Sequence, residues 1–350
     1  MKHLIRGAAA ITVLSLATSS ALALTVSGKD GQKTYELKVA DWFPTSNPIS
    51  VDGAKFWMNE VTQASKGAVK FKYYPAGQLA AARDLLSITQ SGLTDIGATA
   101  PEFNADKLPL STVGNLPGLF EESCRGTRVL WKMSTEGGIL FEKEFKPQHI
   151  HPLILAVTPQ YELLSASKPI RTPADAKGLT IRSAGGTKDL TIQAIGATPV
   201  SISPAEMYQA LKLGTVNAVA FPYSNAAAYS LQEVAKFGTE GANLGSFVDL
   251  YAISDKTWNK LPKEIQQIMM QAGEKTSMHL CQALNDDTTS KIKLFEQAGT
   301  KIDKFDAQGV AAWKEATSGV IAKWVKQYSA QGLPAQEVID NLKTIQQSLQ

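Results

Sequence analysis

The sequence predicts a two-lobed α/β fold with a hinge, crossing strands and a long helix that spans both lobes. Three observations carry this expectation. Strand-like and helix-like segments alternate in each half of the chain, no low-complexity linker separates the halves, and a stretch near the C-terminus stays helix-compatible from Pro262 to Gln297. Lobes without a linker usually share crossing segments, which suits hinge bending better than beads on a string.

In the first half, residues 35–40 read as a strand. Residues 51–65 then place Ala54, Trp57, Met58 and Val61 at the spacing of one helical face. Residues 69–73 alternate apolar side chains with lysines, so this strand has one buried and one wet face. Pro75 and Gly77 turn the chain, residues 81–90 suit a helix that Gly92 ends, and 94–99 form a further strand. The grammar then repeats without repeating the sequence: strand 179–183, helix 188–195, strand 199–202, helix 204–213 and strand 216–221. Residues 247–253 look like a buried strand. Pro262, at a first helical turn, opens a helix about 50 Å long. These elements predict a first lobe over 24–159 to which 248–287 return, and a second over 160–247 on which 288–350 pack.

Lys2 and Arg6, the uncharged stretch from Gly7 to about Leu16 and the run Ala21-Leu22-Ala23 form a secretory leader, with cleavage expected after Ala23. The apolar part is too short for a spanning helix and is interrupted by Ser15 and by Thr18 to Ser20, so stable membrane insertion is not expected. Losing the leader lowers the formal balance from +3 to +1, which favours neither nucleic acid nor an anionic membrane. The 44% apolar share is that of a globular chain long enough for two cores.

Cys124 and Cys281 lie far apart in sequence. Export makes a disulfide possible, and two buried thiols acting as small apolar fillers are the alternative. His149 and His151 are the one pair spaced to share a metal, but no third ligand is apparent and a surface or packing role is expected. No nucleophile elbow, zinc-protease helix or phosphate loop is present. Glu121-Glu122 and Asp286-Asp287 are adjacent residues that point apart on a helix, which reads as solvated surface. Neither a metal, a cofactor nor a catalytic residue is expected. Ala311, Trp313, Ile321, Trp324 and Val325 mark amphipathic C-terminal helices, packed on the second lobe or presented to a partner.

Several ordered segments carry a resemblance. They include Tyr74-Pro75-Ala76-Gly77-Gln78-Leu79, Ser91-Gly92-Leu93-Thr94-Asp95-Ile96-Gly97 and Asn115-Leu116-Pro117-Gly118-Leu119-Phe120 in the first half. Ala176-Lys177-Gly178-Leu179-Thr180-Ile181-Arg182, Gly196-Ala197-Thr198-Pro199-Val200, Glu206-Met207-Tyr208-Gln209-Ala210-Leu211 and Gly214-Thr215-Val216-Asn217 follow in the second. In order and spacing the chain resembles the DctP-type substrate-binding proteins of tripartite ATP-independent periplasmic (TRAP) transporters, through nearly its whole mature length. The resemblance implies a periplasmic, monomeric, hinged binding protein without turnover. It would close around a small organic acid and deliver it to the membrane subunits of such a transporter.

It also implies the site. Family members hold a carboxylate with an arginine at the end of a Gly-x-x-x-Arg strand, which falls on Arg182. A guanidinium offers two parallel donors to a carboxylate and stays charged at physiological pH, and ligands of open α/β sheets bind beyond strand C-termini. An interlobe salt bridge is the alternative for this residue. Trp42, Phe43, Phe103, Tyr161, Phe221 and Tyr223 fall at positions that line the family's cleft, as does Gln78; plain core packing is the alternative for each ring. Where many acid binders carry a second polar anchor, this chain has Tyr161-Glu162, and Glu162 has the wrong sign for a dicarboxylate. An amide frequent in sugar-acid binders is missing after Asn217. The expected ligand is a monocarboxylate with an apolar or aromatic body, the alternatives being a C4-dicarboxylate or a sensory role feeding a receptor.

Overall fold

A computed structural model describes residues 24–28 and 33–349; the leader and its cleavage site lie outside the described residues. The first lobe begins with strands β1 (Thr25–Ser27), β2 (Thr34–Ala40), β3 (Val69–Tyr74), β4 (Ile96–Ala98) and β5 (Ile150–Val157). The second holds β6 (Glu162–Ser165), β7 (Thr180–Ser183), β8 (Thr198–Ser201), β9 (Ala218–Phe221) and β10 (Phe237–Glu240). Strand β11 (Val248–Ser254) then returns to the first sheet, and β12 (Lys301–Lys304) completes the second.

Both sheets are mixed. β2 runs parallel to β3 and β4, and β7 parallel to β8 and β9, but β11 is antiparallel to both β4 and β5, and β6 is antiparallel to β9 and β10. The antiparallel members include β5, β6 and β11, which lead out of or back into a lobe. Every residue of β11 is buried, because its two faces meet two different cores. One core contains Leu37, Trp57 and Met269; the other contains Trp131, Phe145 and Trp324. A third cluster, around Ile181, Met207 and Trp313, belongs to the second sheet.

Two chain segments cross between the lobes side by side. Thr158 donates its N–H to the Phe247 carbonyl (2.8 Å), the Phe247 N–H donates to the Thr158 hydroxyl (2.9 Å), and Tyr161 N–H donates to the Gly245 carbonyl (2.7 Å). The third crossing is the helix Lys263–Gln297, 35 residues and about 50 Å long. Its Met269, Leu280 and Leu284 sit in the first lobe and its Phe295 in the second. Gly273 lets it lie directly on β5, since a Cβ there would stand 2.0 Å from the Leu153 carbonyl oxygen. Cys281 on this helix is bonded to Cys124 on helix Ser123–Ser134, so the pair is a disulfide and not two free thiols.

The C-terminal segment departs from expectation. Helix Ala307–Thr317 packs on the second lobe through Trp313, but helices Val320–Ser329 and Ala335–Ser348 bury Trp324, Val338 and Leu342 with Leu130 and Val113 of the first lobe. The Trp324 indole N–H also donates to the Thr112 hydroxyl (2.9 Å). Amphipathic spacing told which faces would be buried, but an apolar stripe does not name the surface that covers it. Among the described residues, no helix is long and apolar enough to cross a membrane.

The disulfide closes a span of 157 positions, so reduction or Cys281→Ser should cost about 2–5 kcal/mol and lower the melting temperature by several degrees in calorimetry. An unchanged melt with both thiols free to react would contradict this. Burial raises the carboxyls of Glu144 and Glu162 to about 7. A group raised in this way adds stability that is complete below its unfolded value, 4.5, and is lost as the pH climbs through 7. His151 and Lys188, lowered by burial, work in the opposite sense, but Asp41, Asp95, Glu102 and Asp249 are also raised by burial and add to the fall. The melting temperature should therefore fall between about pH 5 and about pH 7.5; a rise over that interval would overturn the assignment.

Candidate ligand-binding cavity

Arg182 is third of the four residues of β7, level with Val200 of β8 and Val219 of β9. Alternation sends Ile181 into the hydrophobic core of the lobe and Arg182 to the opposite face, toward the gap between lobes. Its side chain is wholly buried. The Nε donates to the Ile202 carbonyl (2.8 Å) and Nη1 lies at the limit of a bond to the Ala220 carbonyl (3.5 Å), while Nη2 has no partner. Burial lowers the affinity of this guanidinium for its proton, and the Tyr161 hydroxyl counters that. A guanidinium remains cationic under such a shift. The result is a fixed positive charge with one donor left without an acceptor.

Arg182 lines a narrow gap of about 10 Å³ between the lobes, room for about one water molecule, so a larger ligand must part its walls to enter. Its walls come from both lobes. Trp42 and Phe43 follow β2, with ring centroids 3.6 Å apart, and Trp42 meets Phe103 edge-on at 5.4 Å. Phe103 touches Phe247 at 5.5 Å, and Tyr161 meets Phe221 at 5.7 Å. The guanidinium carbon of Arg182 stands 5.5 Å from the Phe221 centroid. Stacked and edge-on rings make a stiff, weakly polar slot suited to a flat apolar body.

Asp41 holds one end of this wall. Its carboxylate accepts from the Phe43 N–H (2.9 Å), the Ser50 hydroxyl (3.0 Å), the Tyr251 hydroxyl (2.9 Å) and the Tyr73 hydroxyl, which sets the turn carrying Trp42 and Phe43. A second buried network closes the lobes beside the cavity. Glu102 of the first lobe accepts from the Lys188 backbone N–H of the second (2.7 Å) and from the Asn115 amide (2.5 Å). The Lys188 ammonium donates to the Asn115 and Leu244 carbonyls and stands 4.3 Å from the Tyr161 ring centroid. Burial raises the carboxyl and lowers the ammonium, and each charge opposes the other's shift. Gly186 makes room for this contact, because a Cβ there would lie 3.1 Å from the Glu102 carboxyl carbon.

Of the residues singled out in the sequence, Arg182, Trp42, Phe43, Phe103, Tyr161 and Phe221 line this one cavity. Gln78 does not: it is exposed on the turn after β3. Tyr223 does not either. Its hydroxyl donates to the Thr239 carbonyl (3.0 Å) and its ring packs edge-on against Phe295 of the long helix, so it is core. Glu162, one position beyond Tyr161, faces the other side of β6 and accepts from Thr239 and from the N–H groups of Gly241, Ala242 and Asn243. Its sign therefore says nothing about the ligand. His149 and His151 both meet Asp255, at 3.3 and 2.9 Å, and no cluster able to hold a metal ion occurs among the described residues. Asp286 and Asp287 border a larger depression of about 610 Å³ that is open to solvent and presents no unpartnered buried side chain.

The sequence reading missed Thr158, Asn225, Phe247 and Asp249. Asn225 follows β9 and its amide donates to the Asn47 side chain across the gap (3.3 Å). Thr158, Phe247 and Asp249 belong to the crossing segments, whose burial hides any alternation. The order of strands could have pointed to them, because the C-terminus of β5 and the start of β11 must meet at the gap.

A family model described as bacterial extracellular solute-binding protein, family 7 (DctP), matches residues 42–327. The C4-dicarboxylate-binding periplasmic protein DctP of Rhodobacter capsulatus is 23% identical over 92% of this chain and 96% of its own. A TRAP solute-binding protein of Rhodoferax ferrireducens, solved with copurified benzoate, superposes with a TM-score of 0.81 at 21% identity, covering 89% of this chain and 98% of that one. One from a Sulfitobacter species, with bound β-D-galacturonate, gives 0.75 at 23%, covering 88% and 98%. At such identities the structures establish the two-lobed fold and no more. The family match does more: the chain belongs to family 7 of the bacterial extracellular solute-binding proteins, the DctP family, whose members serve TRAP transporters as binding components and are not enzymes.

Proposed function

We propose that this protein captures a monocarboxylate with an aromatic or apolar body in the cavity at Arg182 and delivers it to the membrane subunits of a TRAP transporter. The carrying observation is the unpartnered Nη2 of a wholly buried arginine that faces a slot walled by rings. A carboxylate supplies the missing acceptor and the counter-charge together, with water excluded and the bond correspondingly strong. The rings supply contact to the rest of the molecule. The benzoate found in the Rhodoferax relative fits such a body; the galacturonate in the Sulfitobacter one does not fit these walls as well. A dicarboxylate is disfavoured because Arg182 is the one cationic side chain among the lining residues and a second carboxylate would have no counter-charge there. On this reading the segments at 158–161 and 244–247 are the hinge, and the chain is exported by cleavage after Ala23.

Purified protein, unfolded and refolded to strip carried-over ligand, should bind benzoate, phenylacetate or branched 2-oxo acids in preference to succinate or malate in a thermal-shift and calorimetric panel. Arg182→Ala should weaken binding of the best acid by about 2–4 kcal/mol; a change under tenfold, or a preference for C4-dicarboxylates, rejects the reading. Two further variants separate site from scaffold. Gln78→Ala should leave both affinity and melting temperature unchanged. Tyr223→Phe should cost about 1 kcal/mol of stability, the worth of one buried hydrogen bond, and leave affinity within twofold.

A further inference from the structure

The cavity carries more than one unmet hydrogen-bonding demand. Arg182 Nη2 and Trp42 Nε1 are donors without acceptors, and Asp249 Oδ2 is an acceptor without a donor. All three side chains line the same space, and Asp249 is 3% exposed. A carboxylate answers the two donors and leaves Asp249 facing it. Buried polar groups in native structures are nearly always paired, so an orphan acceptor inside a binding cavity marks a group that the ligand is expected to bring.

We propose that Asp249 is a specificity-determining residue that selects hydroxylated carboxylic acids: the carboxylate pairs with Arg182 while a hydroxyl on the same ligand bonds to Asp249. This deepens the proposed function and rests on the same cavity. The chemistry favours a hydroxyl over other donors. A hydroxyl can donate to an ionised carboxylate or accept from a protonated one, so it satisfies Asp249 in either state. Burial and the neighbouring Asp41 carboxyl both raise the proton affinity of Asp249, which makes that tolerance useful. An ammonium can only donate and would have to shed its water among aromatic walls. Asp249 also occupies a place that holds it still: β11 is paired on both sides, with Asp249 level with Ala156 of β5.

The experiment compares matched pairs on the stripped, purified protein by calorimetry: benzoate with its three monohydroxy isomers, and phenylacetate with mandelate. In the native protein at least one hydroxy acid should bind roughly tenfold or more tightly than its parent, the scale set by leaving a buried carboxyl unpaired. Asp249→Leu should erase that advantage, so that parent and hydroxy acid bind alike. Parents and hydroxy acids binding alike in the native protein would overturn the proposal, as would an advantage that survives in Asp249→Leu or a preference for the amino counterparts. The native comparison decides even if the variant does not fold. Were no acid of the panel to bind at all, or Arg182→Ala to leave binding intact, the proposed function would fail instead.

Discussion

A guanidinium that cannot reach water sets the terms for everything around it. Arg182 is buried completely, and among the described residues no carboxylate pairs with it. Desolvating a lone charge is costly, and two backbone carbonyls and a tyrosine hydroxyl compensate only in part. On the proposed reading, the remaining deficit is the driving force for binding. An empty closed cavity keeps a cation without its counter-ion, whereas an occupied one removes the penalty and gains a charge-assisted bond in a water-free setting.

The walls obey the same constraint from the other side. They must exclude water without competing for the arginine, and rings do this because their bulk is apolar while Trp42 and Tyr161 keep one polar edge. Holding those rings demands polar groups of its own, which the protein places behind the wall. Asp41 spends its acceptors on Phe43 N–H, Ser50, Tyr73 and Tyr251, and Glu102 spends its own on Lys188 and Asn115. Asp249 is the exception, with an oxygen left over inside the cavity.

Much of this was legible in the sequence, and the gaps have physical causes. Period-two alternation in 69–73 and period-3.6 spacing around Trp57 located elements to within a few residues, because each has one wet face to contrast with its dry one. β5 and β11 are buried on both faces, and so they offer no such contrast. That is why the sequence does not mark Thr158 and Asp249. Positional resemblance put six of its eight candidates on the cavity wall, but it could not see side-chain direction. Tyr223 and Glu162 each sit one or two positions from a true lining residue and point elsewhere. The C-terminal helices show the same limit at larger scale, since Trp324 announced a buried face without naming the first lobe as its cover.

The contacts that bridge the gap include several that need no ligand. Glu102 with Lys188, Asn47 with Asn225, and Arg83 with Ser201 join the lobes through the protein's own groups. Such bonds form on closing and are exchanged for water on opening, so they bias the resting equilibrium before any acid arrives. Apparent affinity is the intrinsic affinity scaled by the fraction of molecules in the competent arrangement. On the proposed reading the strength of capture is set in two places, by the fit of the acid in the cavity and by a thermostat of interlobe bonds that the acid never touches.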